Sequence, residues 1–506
     1  LLPEEPFIDL SNTDKPAMQL APKIRENLSK NPDKPALEFE GVWHTWGDIN
    51  RYVDKINSVL NDQRIPAEAP VGLVARNRPP QAAAILGAIA YDRAISMIYA
   101  FQTPETIAKD VTNLRLAALI AEERDWTPEV IAAAKATGTL GIMVSLQGGL
   151  SVSLVPGLES LGAGPHRPPF ETPGMELLSS GTTGAPKRIQ IPMAALIRGV
   201  ISATLGAEPT DDSPPAILFW PLGNIAVVGL IGNAYIGSRM VLLEKFTVNG
   251  LVNALKTYKA PALAAAPPVI RLILEAKVPK EDLASIQYAY GGSAALEPET
   301  QELFEKTYGI PVYWGYGATE FAGTVCTWTP DLRKQYGDSK RGSIGKALAG
   351  AELRVVDPET GAELPRNQQG HLEGRVEVLG PKWIRTTDLA SMDEDGFVFL
   401  HGRGDGAINR GGFKIIPERV IDVLRRHELV RDASVVGLPD SILGHVPVAA
   451  IEKVAGAPAP SAAELEAHVR AHLPAHHVPT RFIVVEALPR TPSLKVVIQD
   501  VKRLFE

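Results

Sequence analysis

A single cysteine in 506 residues, Cys326, excludes an intramolecular disulfide and any cage of cysteine ligands around a metal. A lone thiol suits a reducing compartment, so the expected location is cytoplasmic, with Cys326 filling core space rather than attacking a substrate. Basic charge is also in short supply. The chain has 51 Lys and Arg against 58 Asp and Glu, a net charge of −7, and no lysine-rich tract, so nucleic acid is not an expected partner. Anionic substrates must be met by local cations. Long uncharged runs are scarce. A run of spanning length, 213–238, is interrupted by Pro214, Pro215, Pro221, Asn224, Asn233 and four glycines, and reads as buried strand, loop and helix rather than as an integral membrane segment. The opening LLPEEPFIDL is acidic and proline-broken and lacks the charged and apolar regions of a signal peptide. No repeat of fixed period is present.

What is present is an ordinary globular composition, 45% hydrophobic and 22% charged, over a length that predicts two or more domains. ALEFEGVWHTW reads as a strand pair, followed by a helix from Trp46. Val71–Ala75, Ile95–Tyr99, Ala117–Ala121 and Gly141–Ser145 are short apolar strands separated by helical segments, the pattern of parallel sheets covered by helices. Later strands are expected at 216–219, 240–243, 286–290 and 312–313. From Gly342 to Asp388 the pattern changes to alternation and turns, which predicts a small antiparallel barrel. Beyond Gly402 to Asp405, helices at 420–427 and 462–472 and strands at 433–436, 448–451 and 482–486 predict an α+β unit of ordinary small-domain size.

The chemistry clusters in a few strings. Ser179 to Lys187 reads SSGTTGAPK after an apolar stretch. Gly181 and Gly184 permit close backbone approach, Ser179, Ser180, Thr182 and Thr183 offer amides and hydroxyls, and Lys187 adds a movable cation, together a phosphate cradle. It is not the common P-loop, because Ala185 and Pro186 intervene before the lysine and Arg188 follows it. In WGYGATE, a glycine turn presents the flat ring of Tyr316, the hydroxyl of Thr319 and the carboxylate of Glu320, groups suited to a base, a phosphate and Mg²⁺.

These strings, with GGSAAL, IRTTDLA, HGRGD and LPRTPSLK in the same order over most of the chain, resemble the adenylate-forming superfamily of acyl-CoA synthetases, peptide-synthetase adenylation domains and beetle luciferases. The resemblance implies a large N-terminal domain, 1–402, of helix-covered, mostly parallel sheets with a barrel subdomain at about 342–402. It also implies a small mobile α+β domain, 403–506, pivoting near Asp405. ATP would be held by the signature loop, by Gly291, Gly292 and Ser293, by Tyr316 and Gly317, and at the ribose by Asp388 and Arg403. Thr319, Glu320 as the Mg²⁺ ligand, and Lys495 are the implied catalytic groups. Asn224, Ile225, Gly292, Ala318 and Ala322 would line the acyl pocket, and Arg410, Gly411, Gly412 and Lys414 would form the loop that admits coenzyme A. Departures from the family pattern are Arg188 and Thr387, each in place of glycine, Leu494 in the usual SGK, and a trimmed stretch between Gly380 and Arg385.

The implied activity is ATP-dependent conversion of a carboxylic acid to acyl-AMP and pyrophosphate, followed by transfer to coenzyme A. No acidic residue in 216–230 is placed to pair with an α-amino group, so the expected acid is bulky or long and apolar rather than an amino acid. Two alternatives are weighed beside it: an enzyme that stops at acyl-AMP and hands it to another protein or carrier thiol, and a luciferase-like oxygenase. Assembly as a monomer or a homodimer is left open.

Overall fold

The computed structural model describes residues 19–178, 188–204, 208–292, 296–404, 406–410 and 413–506. Continuous apolar runs become strands buried on both faces. Val71–Ala75, Ile95–Tyr99, Ala118–Glu122, Leu140–Ser145 and Gly174–Leu178 pair in parallel at the centre of a seven-stranded sheet. Ser151–Leu154 and Arg188–Pro192 close its edges in antiparallel fashion. Leu178 lies opposite Arg188, so 179–187 joins two hairpin strands at the carboxyl end of a parallel strand, where open α/β sheets place their ligands.

The hairpin Pro35–Phe39 and Val42–Thr45 forms as the alternation predicts, and joins Ala216–Leu218 and Met240–Leu242 in a four-stranded sheet. The uncharged run 213–238 folds into the strand Ala216–Leu218 and the nine-residue helix Val227–Tyr235. No helix among the described residues is long and apolar enough to cross a membrane.

In the next sheet, Ala262–Ala265, Tyr288–Gly291 and Val312–Ala318 run parallel, and Gly323–Thr327 and Lys346–Ala347 extend it in antiparallel fashion. The strand from Val312 is longer than its apolar residues suggest. Its glycines let the neighbouring strand approach: a Cβ at Gly317 would lie 2.4 Å from the Gly323 carbonyl oxygen. Ala351–Val356, Gly370–Val376, Ile384–Met392 and Val398–Arg403 then form a four-stranded antiparallel sheet.

The remaining chain builds a sheet around the long hairpin Val430–Asp440 and Gly444–Lys453, with Phe482–Val485 parallel beside it. The helix Ala462–His472 starts at a capping box in which Ser461 and Glu464 satisfy each other's backbone donors. Buried hydrophobic clusters segregate along the sequence. Three draw their buried members from residues 20–398 and two from residues 408–505. Leu494 crosses this division and packs against a cluster of the N-terminal part.

Candidate active site

The strand Val312–Ala318 delivers Tyr316 and then breaks into the short 3₁₀ turn Thr319–Phe321. Ala322 follows with φ +55°, a left-handed conformation that costs a residue with a Cβ about 1–2 kcal/mol. The turn leaves Thr319 buried and Glu320 exposed. The Tyr316 hydroxyl donates to Asp388. Burial, reinforced by the neighbouring Asp388 charge, pushes the tyrosine's pKa far up.

Asp388 sits opposite Arg403 across two paired strands, and its amide donates to the Thr386 hydroxyl at 3.1 Å. Arg403 Nη2 donates to the Thr387 hydroxyl at 2.7 Å. Thr387, which stands where the family has glycine, thus orients the arginine beside the aspartate.

Lys495 comes from near the other end of the chain. Its carbonyl accepts from the Thr491 amide at 2.8 Å, and its own amide donates to Thr491 Oγ1 at 3.2 Å. Leu494 takes φ +62°, the region glycine occupies without cost, which explains why a glycine is usual there. Burial lowers the pKa of the Lys495 ammonium below its ordinary value; Arg403 pushes in the same direction, and Asp388 and Glu320 oppose them. Charged groups expected from three separated strings therefore act on the lysine of a fourth.

A chain of ion pairs that sequence reasoning missed holds this arrangement. Glu297 accepts from Arg271 and Arg425, each at 2.6 Å. Arg425 also pairs with Asp432 at 2.7 Å, Asp432 with Arg490 at 2.5 Å, and Arg490 donates to the Leu494 carbonyl at 3.1 Å. Burial disfavours the charge on Glu297 and Asp432, but their arginines outweigh it and hold both carboxyls below the usual range. A second missed residue is Glu418. A Cβ at Gly402 would lie 2.8 Å from its Oε2, and burial pushes its pKa up beside Arg403 and Asp388.

On the acid side, Gly291 and Gly292 are required for packing: Cβ atoms there would lie 1.7 Å from the Ala265 carbonyl oxygen and 2.5 Å from that of Gly315. Asn224 Oδ1 accepts from the Ala226 amide at 2.9 Å and shapes the turn into the helix Val227–Tyr235, while Ile225 packs against the large N-terminal cluster. Arg188 is held by the neighbouring strands and helix. It donates to the Met97 carbonyl at 2.7 Å and pairs with Asp110 at 3.3 Å and Glu176 at 3.6 Å, pinning the strand that leaves the signature loop.

Ser179, Ser180, Gly181, Thr182, Thr183, Gly184, Lys187, Ser293, Asp405, Gly411 and Gly412 lie outside the described residues. Lys414 lies on the strand Phe413–Ile415. Arg410 Nη1 donates to the carbonyls of His476 and Val478 at 2.8 and 3.2 Å.

Comparison with known proteins places this geometry in a family. Residues 24–381 match the AMP-binding enzyme family and 422–495 match the AMP-binding enzyme C-terminal domain. A 4-coumarate–CoA ligase of Vanilla planifolia is 26% identical over 514 residues, 94% of this chain and 92% of that protein. A match to 4-coumarate–CoA ligase 3 of Oryza sativa subsp. japonica, 29% identical over 351 residues, spans 64% of this chain and 62% of that relative. Among solved structures, the anthranilate CoA ligase AuaEII in complex with anthranoyl-AMP superposes with a TM-score of 0.78 at 21% identity, covering 98% of this chain and 99% of that one. The amide bond synthetase McbA from Marinactinospora thermotolerans gives 0.79 at 23% identity, covering 97% and 100%. With a family match across more than half its length and the motif residues assembled in order, the chain belongs to the AMP-binding enzymes of the adenylate-forming superfamily.

Proposed function

We propose that the protein is an AMP-forming acid–thiol ligase that activates a bulky carboxylic acid with an apolar body, with ATP as the adenylyl donor and coenzyme A as the acceptor. The observation that carries this reading is the position of Lys495, brought from residue 495 to interact with Asp388, Glu320 and Arg403. In the first half-reaction a carboxylate oxygen of the acid bonds to the α-phosphorus of ATP and the bond to the bridging oxygen breaks, releasing pyrophosphate. The Lys495 ammonium bridges carboxylate and α-phosphate and stabilises charge that develops between them. Asp388 accepts hydroxyl protons of the ribose, with Tyr316 already hydrogen-bonded to it to fix its orientation. Glu320 is a single exposed carboxylate, which suits Mg²⁺ that takes most of its ligands from phosphate and water.

The N-terminal domain, 1–402, then binds ATP and acid. The unit 403–506 carries the lysine and, after pivoting near Asp405, would present the 410–414 loop to the thiol. One observation favours a second reading in which the enzyme stops at acyl-AMP. Arg410 is committed to two carbonyls of its own domain, and His477 is buried with its pKa pushed down by that burial, which leaves few cations for the coenzyme's phosphates. Against this, Phe413 is exposed and stacks on His476 at 4.4 Å, a flat surface suited to an adenine ring.

The test is acid-dependent pyrophosphate release across aryl, alicyclic and fatty acids, followed by a single turnover of preformed acyl-AMP with coenzyme A. Pyrophosphate release and thioester together support the ligase. Persistent acyl-AMP supports the second reading, and faster turnover of acetate than of any larger acid contradicts the proposed substrate class.

A further inference from the structure

Arg198 leads the fully buried large side chains among the described residues, at 1% exposure. It lies on the helix Met193–Thr204, which follows directly from the strand leaving the signature loop. Its Nη1 donates to the Thr324 carbonyl at 2.9 Å. Its Nε and Nη2 have no hydrogen-bond partner among the described residues. Burial pushes its pKa down to about 10, and no carboxylate among the described residues counters that shift.

Two features make this side chain more than an awkward core residue. The first is which nitrogens lack partners. Nε and Nη2 form one edge of the guanidinium, the planar fork that a carboxylate accepts with both oxygens, while the remaining nitrogen anchors the group. The second is location. A Cβ on the next residue, Gly199, would lie 2.6 Å from the Ala322 carbonyl oxygen and 3.0 Å from Val228 Cγ1. The helix is therefore pressed against both walls assigned to the acid: the Ala318–Ala322 turn, and the segment from Asn224 into Val227–Tyr235. Thr324 itself is two residues beyond Ala322.

We propose that Arg198 recognises a second carboxylate at the far end of the acid, so that the substrate is a dicarboxylic acid whose apolar body separates the activated carboxylate from the one held by Arg198. This rests on the ligase reading above and narrows its substrate class. The activated carboxylate faces the Lys495 side of the cleft and the second one the helix Met193–Thr204.

The experiment compares pyrophosphate release with matched mono- and dicarboxylic acids: linear C6 to C12 pairs, and aryl pairs such as 3-phenylpropanoate and 3-(4-carboxyphenyl)propanoate. The wild-type protein is expected to favour the diacid of a pair by about 10²-fold in kcat/KM, the scale of a charge-assisted bidentate contact. Arg198→Met, close in volume, should abolish that preference or invert it, and Arg198→Lys should restore part of it. A purely structural arginine would change thermal stability in both variants without changing the ratio. A wild-type ratio at or below one overturns the inference whatever the variants do, and leaves the ligase reading standing. So does an Arg198→Met protein that loses both acids of a pair equally. If no acid of either series releases pyrophosphate, the ligase reading falls and this inference with it.

Discussion

Two arginines in this protein live under opposite electrostatic conditions. Arg425, 22% exposed, sits between Glu297 and Asp432, and these carboxylates outweigh burial to raise its pKa. Arg198, 1% exposed, has one carbonyl and no carboxylate among the described residues, and burial alone lowers its pKa. An unpaired buried ion costs several kcal/mol, and a polar N–H left unsatisfied about 1–3 kcal/mol. Arg425 meets that cost within the chain and serves to join the two parts of the fold. Among the described residues Arg198 has no such compensation, and on the inference above the far carboxylate of a bound diacid supplies it. The difference separates an arginine that organises the molecule from one whose charge no carboxylate among the described residues meets.

The largest expected effect tests the compensated side. Asp432 is buried and shared by Arg425 and Arg490, so Asp432→Ala takes one charge-assisted partner from each of two guanidinium groups, leaving Arg425 with Glu297 and Arg490 with Glu452, and should destabilise the protein by about 3–5 kcal/mol, read as a fall in the urea midpoint. A loss below about 1 kcal/mol would mean that the network contributes little to folding. Glu297→Gln is gentler. It keeps the shape of the side chain but removes the charge from two bonds, to Arg271 and Arg425, each worth about 1.5–3 kcal/mol when charge-assisted, at the junction between the N-terminal sheets and the unit carrying Lys495. Pyrophosphate release should drop about tenfold or more, while thioester formation from supplied acyl-AMP changes little. Equal losses in both steps would argue that Glu297 acts on stability alone.

The smallest effect is one of pH. Glu297 and Asp432 have folded-state pKa values below their unfolded ones. Their stabilising contribution is thus complete above the ordinary carboxylate range, about pH 4, and is lost only as pH falls through the depressed folded values. Acid unfolding should therefore occur at lower pH in the wild type than in Glu297→Gln. Lys495 has the opposite problem. Its pKa is lowered, mainly by burial, so the alkaline limb of kcat/KM for ATP should lie below the ordinary lysine value of about 10.4. It should move upward in Lys495→Arg.

Much of this is legible in the chain where local physics speaks clearly. Val71–Ala75 and Ile95–Tyr99 are apolar runs between turn residues and form strands over those residues; Ala462–His472 is announced by Ser461 and Glu464. The helix read from Val420 begins at Pro417, whose missing amide hydrogen suits a first turn. The hairpin Val430–Asp440 and Gly444–Lys453 is longer than expected because Pro439 and Pro447 hide its continuation. Motifs name Asp388, Glu320 and Lys495, but the mutual approach of these residues is a product of topology. The Glu297–Arg425 pair joins residues 128 apart in the chain, and no local pattern signals such a contact. Arg198 is invisible for a different reason: a single charge on an otherwise apolar helix reads as a surface residue until burial is known.

The most direct test is Lys495→Ala assayed in both half-reactions. The contact between the ammonium and the developing charge is worth about 3 kcal/mol or more. Acid-dependent pyrophosphate release should therefore fall by about 10²-fold or more, while thioester formation from supplied acyl-AMP and coenzyme A continues near the wild-type rate. Unchanged pyrophosphate release would contradict the placement of Lys495 at the reacting phosphate and, with it, the proposed role of the ion network that holds the lysine there.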